Sequence, residues 1–273
     1  MEPVSLTAQW TAAVRALESE RPEHRLFVDP FARELARPDG FDLLERYAGA
    51  GIRDFIAIRT RYIDDALSDA LSLEEIRQIV ILAAGMDSRA YRLQWLDGTT
   101  VYEVDHQALM EEKKRRLSAI GAYPAARRIE VSADLAGSWL PALRQSGFNQ
   151  GDKTLWVVEG LLFFLTRSQV RSLLVTLRDA SATGSWLVTD MASKALLESP
   201  ASQLFLAKLR KDGIPWLFGE DDPEEFLRAC GWTLRDLKEP GNPGAGEGRW
   251  PYATPPRSVK GVPRSWLIQA ERR

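Results

Sequence analysis

From residue 78 onward, short apolar runs alternate with amphipathic segments along the chain. The runs lie at 79–84, 100–105, 128–134, 154–159 and 185–190, and helix-like segments at 106–120, 138–145 and 167–182 separate most of them. Runs that are apolar on both faces are typical of strands buried between two layers of helices. The alternation therefore predicts an α/β fold with a doubly wound, mostly parallel sheet.

The two ends of the chain follow different patterns. Residues 5–75 are predicted to be helical, most clearly at 7–17 and 56–71. Toward the C-terminus the pattern predicts a helix near 223–230 and strands at 232–237 and 265–270. The stretch 240–263 is dense in Pro and Gly, which predicts a loop between those two strands.

Composition and charge exclude several classes of protein. The 273 residues carry 36 Lys and Arg against 38 Asp and Glu, so the chain has no basic field to hold nucleic acid. One Cys and two His exclude an internal disulfide framework and a Cys- or His-built metal centre. The longest apolar run, 160–165, is too short to cross a membrane, and the first residues lack a secretory pattern. We expect a cytoplasmic protein, monomeric by default, without a membrane or nucleic-acid partner.

Polar or flexible residues close the apolar runs, where ligands bind in open α/β sheets. These residues are Gly85, Asp105, Asp134, Glu159 and Asp190. Asp105 follows Gly85 by 20 residues, the spacing of a glycine turn and a ribose-binding acid in nucleoside-binding units. Each residue alone also fits a turn or a helix cap. Four acids at successive strand ends favour a binding site.

The segment after the first run discriminates between nucleoside cofactors. It reads Ala-Ala-Gly-Met-Asp-Ser-Arg at 83–89, without the glycine pattern of dinucleotide folds or the Gly-Lys-Ser/Thr of a P-loop. Asp87 would repel a phosphate but suits a ligand with sulfonium and ammonium groups. The segment therefore favours S-adenosyl-L-methionine over NAD. An NAD-dependent oxidoreductase and a non-catalytic protein that binds an adenosyl ligand remain the alternatives.

Residues 81–93, Ile-Leu-Ala-Ala-Gly-Met-Asp-Ser-Arg-Ala-Tyr-Arg-Leu, resemble the Gly-x-Asp-x-Arg-x-x-Arg-Leu signature of the leucine carboxyl methyltransferase superfamily. The chain is most similar to the bacterial branch that includes polyketide O-methyltransferases. Segments 5–13, 58–65, 103–107, 133–135, 159–162 and 230–232 match in the same order. The resemblance implies a class I Rossmann-like methyltransferase fold with a seven-stranded sheet whose last strand is antiparallel. It also implies a helical cap at 1–75, a methyltransferase domain at 76–273 and a cap insert around 194–219.

The resemblance further implies roles for six residues that bind the cofactor. Asp105 would hold the ribose, Asp134 and Leu135 would face the adenine, and Gly85 would lie under the methionine part. Arg59 would pair with the cofactor's carboxylate and Glu159 would lie near its amino group. Arg61 competes with Arg59 for this role. An ion pair with Asp64 or Asp65 is the alternative interpretation of either arginine.

The implied reaction is O-methylation of a small molecule that carries a carboxylate or a hydroxyl group. A carboxylate acceptor needs no general base, and the sequence identifies none. No metal is expected. Trp10, Trp216 and Trp250 lie outside the predicted sheet, and packing is a better explanation for them than an acceptor pocket. The charged run 111–116 is predicted to be a solvated helix with pairs between residues four apart.

Overall fold

The computed structural model describes residues 3–49 and 51–273, with side chains in the first helix from Thr7 onward. Met1 and Glu2, at the start of the predicted cap, lie outside the described residues. The helices are α1 (Pro3–Ser19), α2 (Ala32–Arg46), α3 (Ile52–Glu74), α4 (Arg89–Arg92), α5 (Gln107–Ala119), α6 (Trp139–Gln145), α7 (Arg167–Asp179), α8 (Lys194–Glu198), α9 (Pro200–Lys211) and α10 (Pro223–Ala229). The strands are β1 (Gln78–Leu82), β2 (Thr100–Asp105), β3 (Arg127–Ser132), β4 (Thr154–Val158), β5 (Trp186–Ala192), β6 (Thr233–Lys238) and β7 (Ser265–Glu271). A 3-10 helix, Leu162–Phe164, follows β4.

The strands form a seven-stranded sheet in the order β3-β2-β1-β4-β5-β7-β6. Neighbouring strands from β3 to β5 run parallel, while β7 pairs antiparallel with both β5 and β6. The predicted mostly parallel sheet with an antiparallel last strand is confirmed. Because β1 lies between β2 and β4, the strand order reverses there, and the carboxyl ends of β1 and β4 open a crevice.

Side chains of each central strand alternate between two hydrophobic clusters, one on each face of the sheet. Ile79 and Ile81 of β1 join the cluster that contains residues of α1, α3 and α5. Val80 and Leu82 join the cluster that contains residues of α6, α7 and α10. Burial on both faces explains why the sequence shows unbroken apolar runs instead of an alternation of apolar and polar positions.

The long helix α3 connects the N-terminal segment to the sheet. It packs against β4, β5 and β7 and carries Arg59 toward their edge. Apolar side chains of α1 and α3 belong to the same cluster as those of β1 and β5. The division into a cap at 1–75 and a domain at 76–273 with an insert around 194–219 remains a prediction. Segment 194–219 contains α8 and α9.

The structure places Asp190 inside a strand, whereas the sequence pattern placed it at a strand end. β5 continues to Ala192 because Asp190, Met191 and Ala192 pair with Leu267, Trp266 and Ser265 of β7. The Asp190 side chain is completely buried. Long-range pairing with a strand from the end of the chain thus moved this carboxylate from the sheet edge into the protein interior.

The prediction that α5 is solvated along its charged run was wrong for two residues. Lys113 is completely buried and Arg116 is 1% exposed. Nζ of Lys113 donates to Oε2 of Glu103 at 2.7 Å, and Arg128 donates to the same oxygen at 2.6 Å. The expected pair between residues 112 and 116 is present. The carboxylate of Glu103 on β2 is therefore the counter-charge that stabilises the buried lysine.

The C-terminal elements follow the sequence pattern closely. Segment 240–263 joins β6 to β7 through turns and irregular backbone. Asp222 caps α10 by accepting a hydrogen bond from the N–H of Glu225 at 3.1 Å. Cys230, directly after this helix, is fully buried, as expected for a small apolar side chain. Among the described helices, none combines the length and the apolar character needed to cross a bilayer.

Candidate active site

A cavity of about 300 Å³ lies at the carboxyl ends of β1, β2 and β4 and beside the loop after β3. Helix α1 borders the cavity on one side through Thr7, Ala8 and Thr11. We call this cavity the cofactor cleft. The six residues to which the family resemblance gave cofactor-binding roles all line it: Arg59, Gly85, Asp105, Asp134, Leu135 and Glu159. These six residues come from five separate parts of the chain and contribute to one site.

The turn after β1 brings the backbone close to the floor of the cofactor cleft. Gly85 has a φ of 47°, a conformation that side chains disfavour. A Cβ atom on Gly85 would lie 2.9 Å from Cβ of Ala8, so the turn has room only for glycine. The Gly85 N–H donates to Oδ2 of Asp105 at 2.7 Å. The two residues that the sequence paired by their spacing are thus in direct contact.

Asp105, at the end of β2, is held in a fixed orientation. Its Oδ2 accepts from Gly85, and its Oδ1 accepts from the backbone N–H of His106 at 2.7 Å. A carboxylate oxygen can accept two hydrogen bonds, and each oxygen of Asp105 accepts one within the protein. Both oxygens therefore keep a lone pair for a ligand. A pair of neighbouring hydroxyl groups, as in a ribose, matches these two acceptors.

The loop after β3 places Asp134 and Leu135 in the wall of the cofactor cleft. Oδ1 of Asp134 accepts from the N–H of Ala136 at 2.9 Å, and its carbonyl accepts from Gly137 at 2.9 Å. This turn fixes the carboxylate beside the cleft while Leu135 supplies an apolar surface. The combination suits a flat base that has an exocyclic amine.

Arg59 projects from α3 toward the ends of β4 and β5 and is 4% exposed. Its Nε donates to Oε1 of Glu159 at 2.9 Å, and its Nη1 donates to Oδ2 of Asp190 at 2.8 Å. Burial lowers the pKa of Arg59, but the two carboxylates outweigh burial and raise it above its usual value. A Cβ atom on Gly160 would lie 3.2 Å from Nη1, so this glycine leaves room for the guanidinium.

Arg61 lies outside the cofactor cleft. Its Nε donates to Asp65 at 2.9 Å, and its side chain is half exposed. The ion pair between residues four apart that the sequence offered as an alternative is therefore present for Arg61. For Arg59 the partners are Glu159 and Asp190, not Asp64.

The sequence interpretation assigned no role to Arg89, although Arg89 lies in the quoted signature. This residue is 3% exposed and contacts three carboxylates. Its Nε donates to Asp64 at 2.7 Å, and its Nη1 donates to Asp87 at 2.5 Å and to Glu159 at 2.7 Å. The second arginine of the signature, Arg92, also pairs with Asp64 at 2.7 Å. The signature thus supplies buried cations that hold the acids of the site in place.

The charges around Glu159 and Asp87 act on both carboxyl groups in the same direction. Burial raises the pKa of Glu159, but Arg89 and Arg59 outweigh burial and lower it below its usual range. Burial also raises the pKa of Asp87, while Arg89, Lys113 and Arg15 lower it to about 2. Both groups are therefore anionic at neutral pH.

Asp190 behaves differently from Glu159, because burial is stronger there. Its Oδ1 accepts from the N–H of Gly160 at 2.7 Å and its Oδ2 accepts from Arg59. Burial outweighs these interactions and raises the pKa of Asp190 above its usual range. The ion pair with Arg59 stabilises the charged form of Asp190 in this buried position.

Arg15 of α1 is a second residue that the sequence interpretation missed. It lines the cofactor cleft, donates from Nη2 to the carbonyl of Met86 and donates from Nε to Asp29 at 2.9 Å. It joins the N-terminal helix to the turn after β1. Its position within an amphipathic helix gives no separate signal, since arginines on such helices are usually solvated.

The charged side chains that line the cofactor cleft are mostly acids. They comprise the four carboxylates Asp87, Asp105, Asp134 and Glu159 and the two guanidiniums Arg15 and Arg59. An excess of carboxylates opposes a pyrophosphate and suits a sulfonium. The residues present therefore fit S-adenosyl-L-methionine: Asp105 suits a pair of hydroxyl groups, the Asp134 turn suits a base, Arg59 is a cation and Gly85 leaves space at the backbone.

Comparison with known proteins identifies the family. The model of the family described as leucine carboxyl methyltransferase matches residues 8–178. The chain belongs to the leucine carboxyl methyltransferase family. It is 38% identical over 258 residues to a protein of Mycolicibacterium smegmatis named "Putative S-adenosyl-L-methionine-dependent methyltransferase", covering 86% of each chain. A relative from Mycobacterium bovis with the same name is 42% identical over 258 residues, which cover 85% of this chain and 74% of the relative.

Solved structures show the same fold at low sequence identity. A DUF574 family protein from Streptomyces avermitilis superposes with a TM-score of 0.64 at 12% identity, over 96% of this chain and 97% of that chain. A magnesium protoporphyrin IX methyltransferase from Synechocystis with bound SAH has a TM-score of 0.51 at 16% identity, over 88% and 98% of the two chains. The fold is that of class I methyltransferases. This family member is an S-adenosyl-L-methionine-dependent methyltransferase, which decides against an NAD-dependent oxidoreductase and a non-catalytic binding protein.

Proposed function

We propose that this family member transfers a methyl group to an oxygen atom of a small molecule that carries a carboxylate or a hydroxyl group. One observation carries the proposal: residues from five parts of the chain line a single cleft whose charged side chains suit a sulfonium. The name of the family is consistent with a carboxylate acceptor, and the resemblance to O-methyltransferases also allows a hydroxyl acceptor. Helix α1 borders the cleft on one side, which favours a small acceptor over a macromolecule.

In this proposal, five of the cleft residues orient the two ends of the cofactor. Asp105 accepts from the ribose hydroxyls, and Asp134 accepts from the adenine amine beside Leu135. At the other end, Arg59 pairs with the cofactor's carboxylate and Glu159 accepts from its ammonium group. Each charged side chain among them is already held by a hydrogen bond within the protein, so little conformational entropy is lost on binding.

Gly85 lets the backbone approach the methionine part. The cofactor supplies a methyl group on a sulfonium, whose C–S electron pair stays on sulfur while the acceptor oxygen forms the new C–O bond. The protein contributes alignment of the two reacting atoms and exclusion of water. Phe164 and Leu165, after β4, supply an apolar wall of the cofactor cleft on which this exclusion depends. A carboxylate acceptor reacts as the anion, whereas a hydroxyl acceptor must also release its proton to a base.

The decisive test is turnover with methyl-labelled S-adenosyl-L-methionine and a set of aromatic and aliphatic carboxylic acids, phenols and alcohols. We expect label to move to the oxygen of one class. Mild alkali then distinguishes the classes, because a methyl ester releases labelled methanol and a methyl ether does not. Label found on nitrogen or carbon would contradict the proposal, even if S-adenosyl-L-methionine binds. Titration with NAD in parallel provides the negative control for the cofactor.

A further inference from the structure

A second cavity, of about 530 Å³, lies at the same edge of the sheet as the cofactor cleft. It is formed by the start of α3, by α9, and by the segments 250–255 and 262–265. Ser265, the first residue of β7, lines it and pairs with Ala192, the last residue of β5. The cavity therefore lies beyond the ends of β5 and β7. Its volume is within the range of small-molecule sites.

Aromatic rings dominate the walls of this cavity, which we call the aromatic cavity. The rings belong to Phe55, Phe205, Trp216, Trp250 and Tyr252. Trp216 stacks on Phe163 with 4.4 Å between ring centroids and 16° between planes, and it meets Phe205 edge to face at 5.3 Å. Such walls favour a flat ligand that stacks against them.

The charges in the aromatic cavity neutralise each other. Nη1 of Arg264 donates to both carboxylate oxygens of Glu239, at 2.6 and 2.7 Å. Arg264 also donates to the carbonyls of Pro255, Pro256 and Val259, so the pair holds the loop before β7. Both residues are less than a tenth exposed. An ionic ligand would meet no uncompensated charge there, and its desolvation would be unfavourable.

The side-chain N–H of Trp216, beside the aromatic cavity, is unsatisfied among the described residues. Trp216 lines the cavity, and its Nε1 is buried without an acceptor among the described residues. A buried donor without a partner is unfavourable. Because this N–H is buried, Trp216 lines the cavity with its ring.

Side chains that lie close to one another line the aromatic cavity and the cofactor cleft. Phe55 lines the aromatic cavity, and Arg59, one turn later on α3, lines the cleft with its guanidinium carbon 5.5 Å from the Phe55 ring centroid. On the other side, Phe163 supports Trp216, while the next residue, Phe164, lines the cleft. A ligand in the aromatic cavity would therefore lie close to the methionine end of the cofactor cleft.

We propose that the aromatic cavity binds the body of the methyl acceptor, and that this body is an uncharged, planar aromatic ring system. The inference rests on the proposed function, because it assigns the neighbouring cleft to the cofactor. It narrows the substrate class from a carboxylate or a hydroxyl to a hydroxyl, because a carboxylate would be an ionic ligand. The reactive hydroxyl oxygen lies on a ring system that stacks between Trp216, Trp250 and Tyr252. Tyr252 is 53% exposed and stands at the rim, where such a ligand would enter.

The test uses 2-naphthol as a neutral probe and 2-naphthoate as an anion with the same rings, at pH 7. Isothermal titration of the full chain, saturated with S-adenosylhomocysteine, gives both affinities. We expect 2-naphthol to bind at least tenfold more tightly than 2-naphthoate. Equal or tighter binding of 2-naphthoate would overturn the assignment to an uncharged ring, and failure of 2-naphthol to bind would overturn the site.

Two substitutions locate the probe. Ala253→Trp fills the aromatic cavity from an exposed loop position, and Ser258→Trp adds the same side chain elsewhere on that loop. We expect Ala253→Trp to weaken 2-naphthol binding at least tenfold and Ser258→Trp to leave it unchanged. Ser202→Phe, with Leu204→Phe on the same helix as its control, repeats the test from α9, where Leu204 is 82% exposed. Equal affinities within both pairs would refute the location.

Binding of S-adenosylhomocysteine separates this inference from the proposed function. If the wild-type chain does not bind it, the proposed cofactor site is wrong, whatever 2-naphthol does. If it binds to wild type and to Ala253→Trp alike while only 2-naphthol affinity changes, both proposals stand. Competition between 2-naphthol and S-adenosylhomocysteine would place the probe in the cofactor cleft and overturn the inference.

Discussion

Replacement of Arg59 by methionine removes a buried cation while it keeps most of the apolar stem. In the wild type, Arg59 donates to Glu159 at 2.9 Å and to Asp190 at 2.8 Å. Glu159 keeps Arg89 as a partner, but Asp190 keeps only the N–H of Gly160 among the hydrogen bonds of the structure. Removal of one partner from a buried ion pair costs about 3–5 kcal/mol. We expect Arg59→Met to lower the free energy of unfolding by about that amount at pH 7.5.

The loss of stability in Arg59→Met depends on pH, and Asp190 determines the sign of that dependence. Burial already raises the pKa of its carboxyl group, and loss of Arg59 raises it further. When the folded state keeps this carboxyl group protonated, the unfolded state loses its proton as the pH rises above its pKa of about 4. The free energy of unfolding therefore falls as the pH rises. The stability difference between wild type and Arg59→Met should therefore be larger at pH 7.5 than at pH 5.

Urea denaturation, followed by far-ultraviolet circular dichroism and tryptophan fluorescence at both pH values, measures this difference. The double variant Arg59→Met/Asp190→Asn keeps an oxygen for Gly160 and removes the buried charge. We expect it to recover about 2 kcal/mol of the loss at pH 7.5. Equal losses at the two pH values, with no recovery in the double variant, would show that Arg59 stabilises the fold by packing on Phe55 and not by its charge.

Two further substitutions test the site and the core. Asp105→Ala should weaken binding of S-adenosyl-L-methionine by ~1.5–3 kcal/mol, or roughly 10- to 150-fold, because hydrogen bonds to a charged group are lost. Titration calorimetry measures the affinity, and Asp97→Ala in an exposed turn is the control. Equal affinities of the two variants would refute the ribose role of Asp105. Lys113→Met should lower the free energy of unfolding by about 2 kcal/mol, because a buried charged hydrogen bond is lost, whereas Lys114→Met on the exposed face should change it by less than about 0.5 kcal/mol. Equal urea midpoints for the two lysine variants would contradict the burial of Lys113.

The cofactor cleft could be predicted where its signals are local. Gly85 lies in the turn after β1, and Asp105 is the last residue of β2. Because β1 and β2 are parallel, both residues lie at the same edge of the sheet. Arg59 depended on the family resemblance, because nothing in the pattern of α3 distinguishes it from Arg61. The structure separates the two arginines by burial: Arg59 is 4% exposed, while the Arg61 side chain is half exposed.

Other features of the site had no local signal. Arg15 lies on an amphipathic helix like many solvated arginines, and its contact with the carbonyl of Met86 joins residues 71 positions apart. Asp190 ended an apolar run, but its pairing with β7 placed it within a strand. From the sequence, Trp216 and Trp250 are expected to be packing residues. Only the contact between α3, α9 and the loop before β7 shows that both line a cavity.

By itself the sequence determined the element order, the double-sided burial of the sheet and the acids at its edge. Those properties depend on periods of two and 3.6 residues and on the residue that ends each strand, which are short-range. Only the tertiary structure decided which charges are buried. A carboxylate or a lysine is stable in the interior only when an opposite charge reaches it, and for Asp190 and Lys113 that charge comes from another element of the fold.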